Sequence, residues 1–439
     1  MVYVLTKDDK PLMPTTRYGK VRRLLRDKKA KVVRREPFTI KLLYETETEI
    51  VQDCTLGVDT GSRYVGSAVY SEGKILYLAE VQIRDDVKTK MDRRKASRQN
   101  RRFRKTRYRK PRFLNRGNSK KNDRYSPTLI SKFDSHVREI EFVKSILPIK
   151  EMVFEVGQFN TEAIRNPEVL KDKSLYGKGE TYGYYNKRAY VLDRDKYTCQ
   201  ICKAKNVRFE VHHIIFRSNG GTDDVENLVC LCSSCHKDLH AGKVTFSKKM
   251  KAKFNLKDTT VMSTLRKMLL KKYPEGTETL GYITKENREH LNLEKEHYID
   301  ASVIASSGKK FKIESAIYLK RHVSKGDYQL AKGIRAEKKI PTGKLLGFRK
   351  WDKVSYFGKE YFIKGRRATG AFELEDIYKE KVNFSSLPQG FKTPKAKNLK
   401  RIKARSTTLC IRKELWKKGE EYGFKKTTQL LQPRRYHGF

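Results

Sequence analysis

Along the chain the spacing of apolar residues switches repeatedly between a two-residue and a three-to-four-residue period. The stretch LGVDTGSRYVGSAVY at 56–70 predicts strand, glycine turn and strand, and Lys74–Ile83 predicts the third strand of an antiparallel meander. Asp59 closes the first of these strands, a lone acid in an apolar run. EMVFE at 151–155 is another short apolar strand, and it ends on Glu155. EHYIDASVIA at 296–305 has helical spacing, which places His297 and Asp300 on one face. Residues 1–50 read as strand, helix over about 15–28, and strand, with Pro11 and Pro14 marking a rigid turn. FEVHHIIF alternates as a strand, so His212 and His213 point to opposite faces. The segment ending in DLH reads as a helix with His236 and His240 one turn apart. With 439 residues, such a mixture predicts an α/β chain of two to four domains.

Charge narrows the function. Lys and Arg exceed Asp and Glu by 99 − 51 = 48. A surplus of that size opposes compaction unless a polyanion balances it. No window approaches the 18 or so uninterrupted apolar residues that cross a bilayer, and MVYVLTKDDK lacks the apolar region of a secretory signal. A membrane protein and a secreted disulfide scaffold are thereby excluded, and a cytoplasmic protein is expected. Nucleic acid fits the surplus better than acidic lipid, because Lys and Arg gain affinity by releasing counterions from phosphates, and no basic amphipathic helix is evident. Residues 93–112 hold twelve Lys or Arg and no acid, interleaved with Phe103 and Tyr108 and followed by Phe113. They predict a helix over about 88–110 whose charges face every side, lying along a folded nucleic acid. A second basic stretch, 391–439, has fifteen Lys or Arg against three acids; its Trp416, Tyr422, Phe424 and Tyr436 suit base stacking and ordinary packing equally.

Five of the seven cysteines fall between 199 and 235. Cys199 and Cys202 form one CxxC pair, Cys232 and Cys235 another, and each pair can place two thiolates on a tetrahedral zinc. Cys54, Cys230 and Cys410 lack such spacing. His212, His213, His236 and His240 lie between the pairs or just beyond them, and a strand, a loop carrying Asn227 and a helix would converge on one small site. The order YTCQIC, VHHI, SNGGTDDVENLVCLCSSCHKDLH over about 185–245 resembles the HNH endonuclease module, a ββα-metal fold. The resemblance implies that His213 is the general base, that His212, His236 and His240 hold a divalent metal, and that Asn227 orients the His213 loop. The bland alternative is a zinc-stapled binding finger with structural histidines.

The flanking segments resemble the three pieces of a RuvC-type nuclease, an RNase H-like fold, with the HNH module between the second and third. That resemblance implies Asp59, Glu155 and Asp300 as metal ligands and His297 as ligand or general base. DTG stands here where DPG is more frequent after the first carboxylate, a change confined to the turn. Lys10-Pro11-Leu12-Met13-Pro14 resembles the PLMP motif of the IscB family, transposon-associated nucleases related to CRISPR type II effectors and guided by a long noncoding RNA. The family organisation implies a PLMP domain at 1–50, RuvC-I at 51–84 and an arginine-rich bridge helix at 85–120. RuvC-II follows at 121–180, the HNH domain at 181–247, RuvC-III at 248–310 and a β-containing C-terminal region at 311–439. Arg94, Arg98, Arg101, Arg102, Arg104 and Arg109 would contact the guide. HNH would cut the guide-paired strand of a double-stranded DNA target and RuvC the displaced strand. Magnesium or manganese at both nuclease sites, structural zinc on the four cysteines, and a monomeric protein in a nucleoid-associated ribonucleoprotein complete the expectation. The competing readings are a guide-independent HNH homing or nicking endonuclease, and an RNA-binding protein without cleavage activity.

Overall fold

The computed structural model describes residues 1–46, 51–103, 125–157, 167–172, 178–216, 221, 223–246, 257–326, 344–367, 369–418 and 421–424. The chain forms two compact units, one made of 1–157 with 264–439, the other of 158–263, which interrupts the first in sequence. The second unit is wider than the expected 181–247.

The first unit begins with β1 (Val2–Leu5), β2 (Pro11–Thr15), α1 (Tyr18–Arg26), β3 (Ala30–Arg35) and β4 (Phe38–Leu42), in a sheet ordered β2-β1-β4-β3. The expected rigid turn at Pro11–Pro14 is instead an edge strand, the one place in a sheet where two prolines cost no ladder hydrogen bond. Val2, Val21, Ala30, Ile40 and Leu42 form its core.

The meander follows as β5 (Cys54–Asp59), β6 (Tyr64–Ser71) and β7 (Lys74–Gln82), antiparallel throughout. Next come α2 (Val87–Phe103), α3 (Pro127–Lys144) and β8 (Ile149–Glu155). Every α2 residue from Met91 to Asn100 is exposed, Arg94 and Arg98 among them, as its all-round charge requires. Arg101 and Arg102 belong to the same helix; Arg104, Arg109, Tyr108 and Phe113 lie outside the described residues. α3 starts on a Ser126 side chain that accepts from the Leu129 N–H, with Pro127 at the first helical position.

The inserted unit supplies α4 (Lys187–Arg194), β9 (Phe209–His213), β10 (Leu228–Cys232) and α5 (Ser233–His240). α6 (Lys257–Lys272) spans the sequence boundary between the units, and β11 (Thr277–Thr279), α7 (Gly281–His290) and α8 (His297–Ser306) follow it. The remainder contributes β12 (Lys312–Ile313), β13 (Ile317–His322), β14 (Lys353–Tyr356), β15 (Lys359–Arg366), β16 (Phe372–Glu375), β17 (Lys400–Lys403), β18 (Thr408–Lys413), β19 (Leu415–Lys418) and β20 (Glu421–Phe424).

The central sheet runs β11-β8-β5-β6-β7-β13-β18, with β12 also on β7. Residue 310 therefore does not divide two folds: β12, β13 and β18 come from the expected C-terminal region and extend this sheet. Their apolar faces close its core, where Ile317, Leu319 and Leu409 pack with Leu78 and Val303. Lys320 of β13 and Glu139 of α3 form a buried pair at 2.8 Å, with Ser67 and Tyr77 hydroxyls donating to the same carboxylate. Those extra donors meet the desolvation cost of two buried charges. β14–β17 make a separate four-stranded sheet ordered β16-β15-β14-β17 around Val354, Tyr356, Ile363, Phe372 and Leu374.

One packing detail positions a site. α8 is apolar on nearly all sides and lies buried against β5 and β6. A Cβ at Gly57 would stand 2.4 Å from the Ala301 carbonyl oxygen, and one at Gly66 would stand 1.9 Å from that of His297. Only glycines let the helix approach so closely, and its first turn thereby arrives beside Asp59, the register partner of Gly66.

Candidate active site

The inserted unit gathers two sets of metal-ligating side chains. Among the described residues, two groups bring three or more ligand atoms within 4.8 Å of one another: Cys199, Cys202, Cys232 and Cys235, and His212, His236 and His240. The four thiols fit zinc by donor type and number. Burial pushes the Cys199 thiol up, but backbone N–H groups at Cys232, Cys202 and Ile201 outweigh it and hold Cys199 at about 6. Cys235 is pushed the other way, chiefly by burial. The second CxxC also starts α5, since the Cys232 sulfur accepts from the Cys235 N–H.

The histidines come from β9 and α5. His212 pairs with Val229 and His213 with Leu228 across the β9–β10 hairpin, and they face opposite ways. The His212 side chain is buried, and its Nε2 lies 3.2 Å from that of His240. Burial first, and then the neighbouring imidazoles, lower its pKa, which favours the neutral ring with one nitrogen open to a metal. Its Nδ1 is buried without a partner. His236 donates Nδ1 to Glu210 at 2.9 Å, an arrangement that directs the other ring nitrogen towards a metal. This donor set fits a divalent ion; imidazole-rich sites suit zinc, nickel or manganese at least as well as magnesium.

His213 is turned away from that trio and binds Asp223 through Nε2 at 2.8 Å. Asn227 is 3% exposed and clips the loop after His213: its Oδ1 accepts from the Ile215 N–H at 2.8 Å, and its Nδ2 donates to the Ile215 carbonyl at 3.1 Å. Sequence reasoning missed Asp223 and Glu210. Asp223 lies within the quoted SNGGTDD run, and Glu210 is two positions before His212, on the same face of the strand.

The acidic residues of the first unit also assemble. Parallel pairing of β5 and β8 sets Asp59 directly opposite Glu155, both at strand ends. His297, first residue of α8, contacts the Asp59 carboxylate through Nδ1 at 2.6 Å, and the Tyr64 ring stacks on it at 5.5 Å. Burial would lower the His297 pKa, but the Asp59 contact overrides it and the net shift is upward. Burial and the Asp59 charge push Glu155 up to about 7, against a Thr284 hydrogen bond. Burial and Asp59 likewise push Asp300 up to about 6, against Arg288, whose Nε is 2.9 Å from its carboxylate. The three acids act on one another electrically, yet they are a looser set than the cysteines or histidines, and they fall outside the 4.8 Å groups. Asp59 and Asp300 are each held by a basic partner. Arg288, Thr284 and Tyr64 were invisible in the sequence, having no motif spacing to Asp300, Glu155 and His297, the residues they contact.

Comparison with known proteins follows the same division. A family model described as RRXRR protein matches residues 2–179, and one described as HNH endonuclease matches 199–242. The type IV methyl-directed restriction enzyme EcoKMcrA of Escherichia coli is 40% identical over 65 residues, 13% of this chain and 23% of that enzyme. Anaredoxin of Nostoc is 33% identical over 63 residues, 14% of this chain and 83% of anaredoxin. Crystal structures of Streptococcus thermophilus Cas9 with AGAA and GGAA PAM match with TM-scores of 0.33 and 0.35 at 14% identity. They cover 54% and 55% of this chain and 32% of theirs, and likeness of that degree says nothing about function. The chain spans about a quarter of the restriction enzyme and a third of the Cas9 chains. Among the described residues no helix is long and apolar enough to cross a membrane. The chain thus carries an RRXRR segment followed by an HNH endonuclease module whose candidate metal-ligating side chains converge.

Proposed function

We propose that the chain is an RNA-guided endonuclease that cuts double-stranded DNA by metal-dependent phosphodiester hydrolysis, one strand at each site. The observation that carries this reading is the convergent trio of imidazoles, with the His213–Asp223 pair, at 2.8 Å, on the next residue of the same strand. Held at Nε2, His213 takes the proton of the attacking water at Nδ1, and Asp223 stabilises the imidazolium that results. Asn227 is a positioning residue that keeps the loop after His213 in place. His212, His236 and His240 hold the divalent ion here, and Asp59, Glu155 and Asp300 hold magnesium or manganese at the second site, with His297 orienting Asp59. When bound, such an ion neutralises charge developing on the phosphate and the leaving oxygen.

In this reading the central sheet with α8 is a RuvC-type fold split by the HNH unit, and α2 is the bridge helix. The exposed Arg94 and Arg98 support a role for α2 on guide RNA phosphates. HNH cuts the guide-paired strand, RuvC cuts the displaced strand, and the C-terminal region reads a short motif beside the target. The protein works as a monomer in a cytoplasmic, nucleoid-associated ribonucleoprotein.

The test uses the ribonucleoprotein and a duplex labelled on each strand. His213→Ala abolishes cutting of the paired strand and Asp59→Ala that of the displaced strand, each by about 100-fold or more while sparing the other. Loss of both cuts from His213→Ala rejects the assignment. Cutting that ignores a changed guide selects instead a guide-independent HNH endonuclease.

A further inference from the structure

A cleft of about 620 Å³ in the first unit is used by neither nuclease site. It lies among the start of α2, the ends of β7 and β13, and the β14–β16 sheet, and it holds Trp351, Arg321, His322, Lys364 and Arg367. Its Lys and Arg outnumber its Asp and Glu eight to four. All four acids are engaged: Glu375 by Arg321, Asp85 by Lys379, Asp86 by Lys90, and Glu373 by Arg367. The potential left over is positive, and it lies in a concavity that takes one nucleotide. At its floor Arg321 is 5% exposed, and its Nε has no partner. A buried guanidinium N–H left so is costly, and an acceptor-rich ligand group would relieve it.

Trp351 is the second observation. Its backbone sits at φ +68°, a left-handed conformation that a bulky residue adopts only when its surroundings impose it. They do. The Trp351 N–H donates to the Ile363 carbonyl at 2.8 Å. The next residue, Asp352, is 1% exposed and accepts from the backbone N–H groups of Arg349 at 2.9 Å and Arg405 at 2.8 Å. The indole so presented carries the Lys350 ammonium at 4.8 Å and the Arg405 guanidinium at 5.2 Å from its ring centroid. Lys350 is the more flexible of the two and can yield its place to a flat base, which keeps a π contact on the ring.

We propose that this cleft is a single-nucleotide subsite, with the base against Trp351 and the phosphate towards Arg321 and Lys364. The nucleotide is either one residue of a bound single strand, which rests on the nucleic-acid reading above, or a free mononucleotide. The chain has two tryptophans, so Trp416→Phe leaves Trp351 as the lone indole reporter. In that full-length background, uridine monophosphate, a short oligouridylate and inorganic phosphate are titrated while Trp351 emission is followed. Saturable quenching by the oligouridylate supports a strand residue, saturable quenching by the monophosphate a free nucleotide, and phosphate alone leaves the emission unchanged. Without the reporter mutation, Trp351→Leu weakens binding of the quenching ligand about tenfold and Trp351→Phe restores most of it. Strand binding with silent Trp351 emission, or unchanged binding by Trp351→Leu, overturns the subsite and leaves the nuclease reading intact. A parent protein that binds no strand, guide or target undermines that reading instead.

Discussion

The two candidate centres are built in opposite ways. The HNH ligands fall between Cys199 and His240, on a CxxC turn, the hairpin after it and the short helix that follows, and the four thiols brace that stretch of chain from within. The acidic site joins Asp59 to His297 across 238 positions, and a whole folding unit intervenes in sequence. One site can form wherever its own segment folds; the other exists only once a sheet and a helix have packed. The local site holds its ligand atoms close, whereas the long-range site holds its acids through partners such as Arg288 and Thr284. Tightness here follows sequence proximity.

The largest expected effect strikes the local site. Stripping zinc, or replacing Cys232 by Ser, removes on the order of 10 kcal/mol of metal-linked folding free energy from the inserted unit. Hydrogen exchange should then show 185–245 unprotected and β5–β8 still protected; simultaneous loss in both would end the idea of two independently built centres.

Acid should strike the other unit. His136 is fully buried, and burial holds its pKa down at about 4, while the unfolded chain titrates near 6.5. Between those values the unfolded state binds the extra proton, so stability falls as the pH falls, by about 3 kcal/mol from pH 6.5 to 4. His322, lowered to about 3 by burial and the nearby Arg138 and Lys320 charges, acts in the same direction. Denaturant melts of the first unit should flatten with pH in His136→Gln, and an unchanged slope would remove this explanation.

The smallest effect is the most local. Gly66→Ala forces α8 away from β6 and costs about 1–3 kcal/mol of overpacking. Its sharper consequence is separation of His297 from Asp59, with loss of displaced-strand cutting while paired-strand cutting persists. Equal decline of both cuts would mean that the helix approach has no special bearing on the acidic site.

Much of this was legible beforehand. CxxC spacing, the double histidine and the one-turn His236–His240 step are properties of a short chain segment, and local periodicity sufficed to foresee β9, α5 and their ligands. The meander, β8 and α8 were equally plain, since each carries its own hydrophobic period. Other features were not. Pro11–Thr15 reads as a turn in isolation and is a strand because an edge position spares its missing donors. The extent of the inserted unit and the recruitment of β13 and β18 depend on apolar faces that only another element can cover.

The chain by itself determined its polyanion-seeking charge, its zinc-ready thiols and the side-chain types of its candidate sites, because composition and short spacings survive without a fold. Tertiary structure alone decided that Asp59 faces Glu155, that Gly57 and Gly66 admit α8, and that Asp223, Glu210 and Arg288 serve as partners. Hydrogen bonds and Coulomb forces act over a few ångströms of space, and distance along the sequence does not measure that space.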